Sequence, residues 1–430
     1  MILTGTEQVV VHSLEERTRS QDLEWFRLRR FDRMATFLKQ VMPNSGMRLR
    51  FIPLVSRVCR ELAPQYVNRP TRTWSTARAQ VGGTRGLESL KAAMRSARVD
   101  QFMRTVSEKL VAQQSQVLAV EPRRVPARDG GMSTAIGEIT LRSYSPFEVT
   151  IYHRDLSETD IANAERVELR VPVAMTHTGA TQSITYGRRV YTQTEAYTEV
   201  PGDAGTQRVP VFGGSVEHSF GRIPLVAVFR ESPPLGWALP PVASDLLEAA
   251  IALNLSISDV LDIASVAIPP REYLVGPGAS SAAQRSKSID VRDLTPIDTA
   301  GEANEYTHVT VNPNPPLGVY LSAIDSFLRT WCANAYVGAQ SVTAGAVSSG
   351  LTGDAKAWER LEVDQERQRT ATTLQDAEQD LATLAADVLR HEGVQAIPSP
   401  IVSTQYHYTV PRGNDLQSAQ ARVLRGRFGE

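Results

Sequence analysis

The tightest constraint on the fold is a run set between two proline-rich joints. In "DLLEAAIALNLSISDVLDIASVAI", from Asp245 to Ile268, the residues Leu246, Ala250, Leu253, Ile257, Val260 and Ala264 fall at spacings of four, three, four, three and four. That is the seam of a helix lying lengthwise on another helix. The bridge "ESPPLGWALPPVAS" (Glu231–Ser244) leads into it, and "IPP" (Ile268–Pro270) ends it, because the residue before a proline is pushed out of the helical region. Glu248, Asp259 and Asp262 interrupt the run too often for a membrane crossing.

A helix with such a seam needs partners, and the residues after it supply them. Residues 317–337 place Tyr320, Ile324, Phe327, Trp331 and Ala335 on one helical face. From Asp354 a longer helix carries Trp358, Leu361, Leu374, Ala377, Leu381, Leu384 and Val388, and Gly393 stops it. Between the first two helices, residues 271–316 read as a small α/β insertion, with "REYLVG", "ASSAAQRSKS", "SIDVRDL" and "HVTVNPNPP" in turn.

The amino-terminal part has a different rhythm. From Arg19 to Lys39, Leu23, Phe26, Leu28, Phe31, Met34 and Leu38 mark one helix, and further helices are expected near 50–62 and over Gly86–Gln114. A Pro- and Arg-rich joint follows at "EPRRVPARDGG", Glu121–Gly131. Residues 137–230 then alternate apolar with polar side chains and are rich in Val, Ile, Thr and Tyr, which reads as antiparallel β structure. The segment "TQYHYTVP" supplies a late strand. The class expected is therefore α+β.

A chain of 430 residues is long enough for two or three cores, and 42% hydrophobic with 22% charged residues is ordinary for a globular protein. The net charge of -1 hides an asymmetry: residues 1–130 hold 23 Lys/Arg against 12 Asp/Glu, and residues 241–400 hold 10 against 21. Two regions of opposite sign imply different surroundings in the working state. Cys59 and Cys332 are the only thiols and fit neither a disulfide framework nor a metal pattern, so both are expected buried and reduced. The segment "MILTGTEQVVVHSLEER" carries no basic region followed by an apolar core, so no secretion signal is expected there.

No catalytic constellation stands out, and no enzymatic activity, cofactor or metal is expected. Gly345 and Gly350 have the spacing of a phosphate-binding loop, but Leu351 stands where its lysine belongs and a helix precedes it. Asp290, Asp293 and Asp298 read as solvated acidic residues, and His153 with Asp155 as a surface pair at a strand end. The stretch from Gly338 to Gly353 holds no charge and no aromatic ring. Such a loop is too poor in bulky side chains to hold one conformation, and its tip reaches roughly 25 Å from its anchored ends.

These residues resemble one family, the portal proteins of tailed double-stranded DNA bacteriophages. "FGRIPLVAVFRE" (Phe220–Glu231) and the Pro/Gly/Trp bridge after it look like the family's approach to its first stem helix. "SSGLTGDAKAWERLE" (Ser348–Glu362) looks like its Ser-Gly-x-x-x-x-Ala entry to the long helix. The resemblance implies a wing over 1–230, helical to 130 and β-rich over 137–230. A first stem helix (241–268), a clip (269–316) and a second stem helix (317–337) follow. A tunnel loop (338–353), a long wing helix with its returning strand (354–411) and a short crown or tail (412–430) complete it.

It further implies a ring of twelve copies at one capsid vertex, assembled in the host cytoplasm and carried in the virion. Double-stranded DNA would pass through it, with major capsid protein, scaffold, terminase large subunit and a head-tail adaptor as partners, and no membrane. The tunnel-loop residues facing DNA would be Gln340, Ser341, Thr343, Val347, Ser348 and Ser349; Leu246, Leu253, Ile257 and Val260 would pack the stem; Arg285, Lys287, Asp290 and Arg292 would meet adaptor or terminase. The physics is compatible: a conduit must not grip a polyanion, and each phosphate neutralised by Lys/Arg strengthens binding. Two other readings stand beside it: another oligomeric head-assembly scaffold, and a nucleic-acid-processing enzyme such as a nuclease or packaging ATPase.

Overall fold

The structure, a computed structural model, describes residues 8–10, 14–41, 49–76, 83–126, 132–153, 160–178, 181–202, 205–234, 239–267, 271–277, 279–280, 295–299, 307–311, 316–335, 353–394 and 397–407. The chain is α+β and divides into two compact units. The first comprises residues 1–34, 53–248 and 332–430; the second comprises 35–52 and 249–331.

In the first unit, helix α1 covers Leu14–Arg27 and α2 begins at Phe31, running to Val41. One helix was expected here, and the break has a local cause: Arg29 takes a left-handed backbone with φ 56°, which ends a right-handed helix. Leu28 and Phe31, at the break, are exposed, whereas Leu23, Phe26, Met34 and Leu38 are buried. The helix expected over Gly86–Gln114 is likewise two, α4 (Gly83–Ser96) and α5 (Val99–Gln113), divided at Arg98 with φ 54°. Helix α3 covers Leu54–Leu62 and buries Leu54, Val55, Val58, Cys59 and Leu62. Neither cysteine is in a disulfide and both are buried, and burial pushes the Cys59 thiol up to about 12.

Three sheets complete this unit. Strands β1 (Gln8–Val10), β5 (Val149–His153), β6 (Arg166–Thr178), β7 (Thr181–Thr192), β8 (Ala196–Gly202) and β9 (Gly205–Pro210) form an antiparallel sheet in the order β1-β5-β6-β7-β8-β9. Strands β3 (Ser115–Pro126), β4 (Met132–Tyr144) and β10 (Leu225–Phe229) form a second, in the order β10-β3-β4. The Pro- and Arg-rich joint is therefore no linker; its first six residues are the end of β3, paired with β4. It tolerates Pro122 because the ladder shifts register between Pro122 and Arg124, and β10 pairs only as far as Ala119.

The third sheet was legible only in part: the late strand expected at "TQYHYTVP" lies earlier in the chain, at Pro400–Gln405, and its partner was not foreseen. Strand β2 (Thr71–Thr76), in a region read as mainly helical, pairs antiparallel with β14 (Pro400–Gln405). On β14, Pro400, Val402 and Thr404 are buried and the alternate residues exposed. His153 is a further correction: it is 1% exposed, because β5 is an interior strand between β1 and β6. Its expected partner Asp155 lies outside the described residues.

The long helix α8, Gly353–His391, packs along β3, β10 and β14. Leu374, Ala377, Leu381, Leu384 and Val388, at steps of three, four, three and four, are all in the core. The side chains of Trp358 and Leu361 lie outside the described residues. The helix ends where Gly393 (φ 83°) turns the chain left-handed and the Val394 amide donates back to Leu389 O at 3.0 Å.

The core of this unit is tied by buried charge. Glu378 on α8 accepts from the Tyr66 hydroxyl at 2.5 Å and from Arg72 at 2.7 and 2.8 Å, and the Thr404 hydroxyl donates to it at 2.5 Å. Burial beside the Glu378 carboxylate drives the Tyr66 phenol far above its ordinary range.

In the second unit, helix α6 (Ser244–Ala267) contributes from Ala249 onward, and helix α7 (Leu317–Asn334) contributes as far as Trp331. Between them lies a sheet of β11 (Arg271–Val275), β12 (Thr295–Ile297) and β13 (Thr307–Val311). Its order is β12-β11-β13, with β11 parallel to β12 and antiparallel to β13.

Candidate functional site

The candidate site is the succession of helix α6, small sheet and helix α7. Of the four α6 residues expected to form a packed seam, Leu246, Leu253 and Val260 are buried and Ile257 is half-buried. The inner face is rotated slightly from the expected one and includes two polar residues, Asn254 and Ser258, both fully buried.

Their role is plain from their partners. The amide of Ile52 donates to Asn254 Oδ1 at 2.5 Å, and Asn254 Nδ2 donates to Ala250 O at 2.6 Å. The amide of Arg50 donates to Ser258 Oγ at 2.8 Å, while Ser258 Oγ donates to Asn254 O at 2.7 Å. One turn apart on the helix, these side chains satisfy the backbone of an extended segment that has no strand to pair with. Sequence reasoning missed both. Their signal was a polar pair four residues apart next to the apolar seam positions Leu253 and Ile257.

Helix α7 behaves differently. Leu328 and Cys332 are buried, but Tyr320 and Phe327, expected on the packed face, are 46% and 43% exposed. Val319 and Leu321, which the sequence reading left out, are more exposed still, at 68% and 55%. Leu261 and Ile263 on α6, with Ile297 and Val309 on the small sheet, are also exposed. Among the described residues, eight of the fourteen exposed large hydrophobic side chains lie in this second unit, so the apolar surface is concentrated rather than scattered.

The charge on α6 is of one sign, with Asp245, Glu248, Asp259 and Asp262 and no Lys or Arg. On α7, Asp325 and Arg329 pair at 2.8 Å one turn apart. At the small sheet, the Ser280 amide donates to Asp298 at 3.0 Å and the Ser280 hydroxyl also donates to it; these bonds hold the carboxyl below its ordinary range. Asp298 therefore fixes a turn. Asp290 and Asp293, considered with it above, lie outside the described residues, and no cluster of metal-ligating side chains occurs among the described ones.

The tunnel-loop residues Gln340, Ser341, Thr343, Val347, Ser348 and Ser349 also lie outside the described residues, as do Arg285, Lys287 and Arg292. Among the described residues, no helix is long and apolar enough to cross a membrane. No protein-family model matches the chain, and no curated protein matches it.

Proposed function

We propose that the chain is the subunit of a bacteriophage portal, a ring of copies through which a double-stranded genome enters and leaves a capsid. In this reading α6 and α7 are the two stem helices, the small sheet belongs to the clip, and the sheets with α8 form the wing. The observation that carries the reading is the exposed apolar surface of the second unit: Val319, Tyr320, Leu321 and Phe327 on α7, with Leu261 and Ile263 on α6 and Ile297 and Val309 on the small sheet. A single copy leaves this surface wet, and packing many copies side by side through heterologous contacts covers it and closes a ring. Helix α6, with four carboxylates and no cation, suits a wall that a polyanion must slide past. The charge-free stretch Gly338–Gly353 would graze the duplex without binding it.

Mass photometry and negative-stain imaging of the purified protein test the proposal. Rings with a central hole, near twelve times the 47.2 kDa subunit mass, are the expected result. A monomer with nucleotide- or metal-dependent activity would instead identify an enzyme. A closed assembly without an axial hole would identify another head-assembly scaffold.

A further inference from the structure

A cleft in the first unit has the makings of a ligand site that the portal reading does not use. Alternation along β2 places Arg72 and Trp74 on one face. On α4, Lys91, Met94 and Arg95 share a face at steps of three and four, and the turn after it brings Arg98 to the start of α5. With Arg69, these residues line a cleft of about 520 Å³.

Among the described residues, five cations line it against a single carboxylate, Asp100. Two of the five are held mainly by that carboxylate and a buried neighbour: Arg72 pairs with Glu378 and Asp100, and Arg69 lies 3.5 Å from Asp100. Lys91 pairs with Glu88 at 2.7 Å. Arg95 and Arg98 make no ion pair among the described residues; Arg95 only helps Lys91 hold the Glu88 carboxyl below its ordinary range, and the cleft keeps an excess of positive charge. The mouth of α5 adds to it. Arg98 offers no side-chain cap, and the first amide of that helix to bond back is Phe102, to Arg98 O at 3.0 Å, which leaves the amides of Val99–Gln101 facing outward from the helix start.

Solvated arginines on a helix surface normally spread apart; here they converge on a concavity that also has an apolar wall of Trp74 and Met94. The volume exceeds what a bare anion fills and suits a small organic ligand. An indole beside a cationic groove is the usual platform for a nucleobase.

We infer that this cleft binds a nucleotide phosphate, with the phosphoryl group held by Arg95, Arg98 and the amides at the start of α5, and the base stacked on Trp74. The ligand is either a free nucleotide or one nucleotide of a single strand, which present the same chemistry. The inference stands on the first unit alone and does not depend on ring assembly.

Isothermal titration of the full-length protein with ATP, 5′-phosphorylated octathymidylate, inorganic phosphate and octaglutamate provides the test. Saturable binding of ATP, at one per chain, assigns a free nucleotide; binding of the octathymidylate alone assigns a strand. Because Arg95 and Arg98 are exposed, the R95Q/R98Q double variant is expected to fold as the parent does and to bind at least about tenfold more weakly, since charge-assisted contacts are the strong ones. Trp74→Leu should weaken nucleotide binding while leaving inorganic phosphate unaffected. Should that variant fail to fold, the arginine pair decides. The inference is overturned if no nucleotide probe saturates, if R95Q/R98Q binds like the parent, or if octaglutamate binds as well as the nucleotide.

Discussion

At the residue scale, two buried acids on helices of the first unit have opposite surroundings. Asp22 on α1 is buried with no ion pair among the described residues, and burial raises its carboxyl to about 6 from 3.8. A folded-state value above the unfolded one favours folding fully below about 3.8, and that contribution is lost as pH rises through about 6. Asp22→Asn should therefore raise the urea midpoint at pH 7.5, with the gain over the parent shrinking at pH 4.5. Glu378 is the converse case, its oxygens occupied by Tyr66, Arg72 and Thr404. Glu378→Gln leaves Arg72 beside a neutral amide, and should lower unfolding free energy by about 3–5 kcal/mol, read by denaturant titration. The same change should leave the far-UV circular dichroism at low denaturant unchanged, so loss of stability is separable from loss of fold.

At the element scale, the side chains of Asn254 and Ser258 accept from the amides of Ile52 and Arg50 and so tie residues 50–52 to α6. Asn254→Ala strands the Ile52 amide, and should cost about 1–3 kcal/mol in a thermal or chemical melt. The two apolar sets on the helices should separate by phenotype. Leu253→Asp with Ile257→Asp puts charge into the buried side of α6 and should unfold it, because an unpaired buried charge costs several kcal/mol. Val319→Asp with Leu321→Asp alters only exposed positions of α7, so circular dichroism should be unchanged while rings are lost.

The helical elements around these positions were largely readable, since α6, α7 and α8 announce themselves by spacing; α6 stops before a proline and α8 before a glycine, whereas α7 ends at Asn334, short of the expected 337. What was not readable had a different origin. The breaks at Arg29 and Arg98 fall on residues with no turn preference, so only tertiary packing selects their left-handed backbone. Strand β2 is six residues long and gets its identity from a partner more than three hundred residues away, which no local pattern encodes. At the candidate site, the apolar periodicity of α7 was visible, but whether it faces a core or another molecule is a property of burial and not of spacing.

At the scale of the whole molecule, the ring proposal makes a demand on function as well as on shape. Deleting part of the segment between Ala339 and Thr352 should leave ring formation intact and reduce the yield of particles with full genomes, as counted by cryo-electron microscopy of lysate-purified heads. Normal filling would remove that segment from the proposed mechanism. A separate consequence comes from the pairing of β2 with β14. During synthesis β2 leaves the ribosome long before its mate, so its unsatisfied edge must wait for more than three hundred further residues to be translated. Nascent chains halted ahead of Pro400 should expose that edge and be retained by chaperones, and release should come only once β14 has emerged.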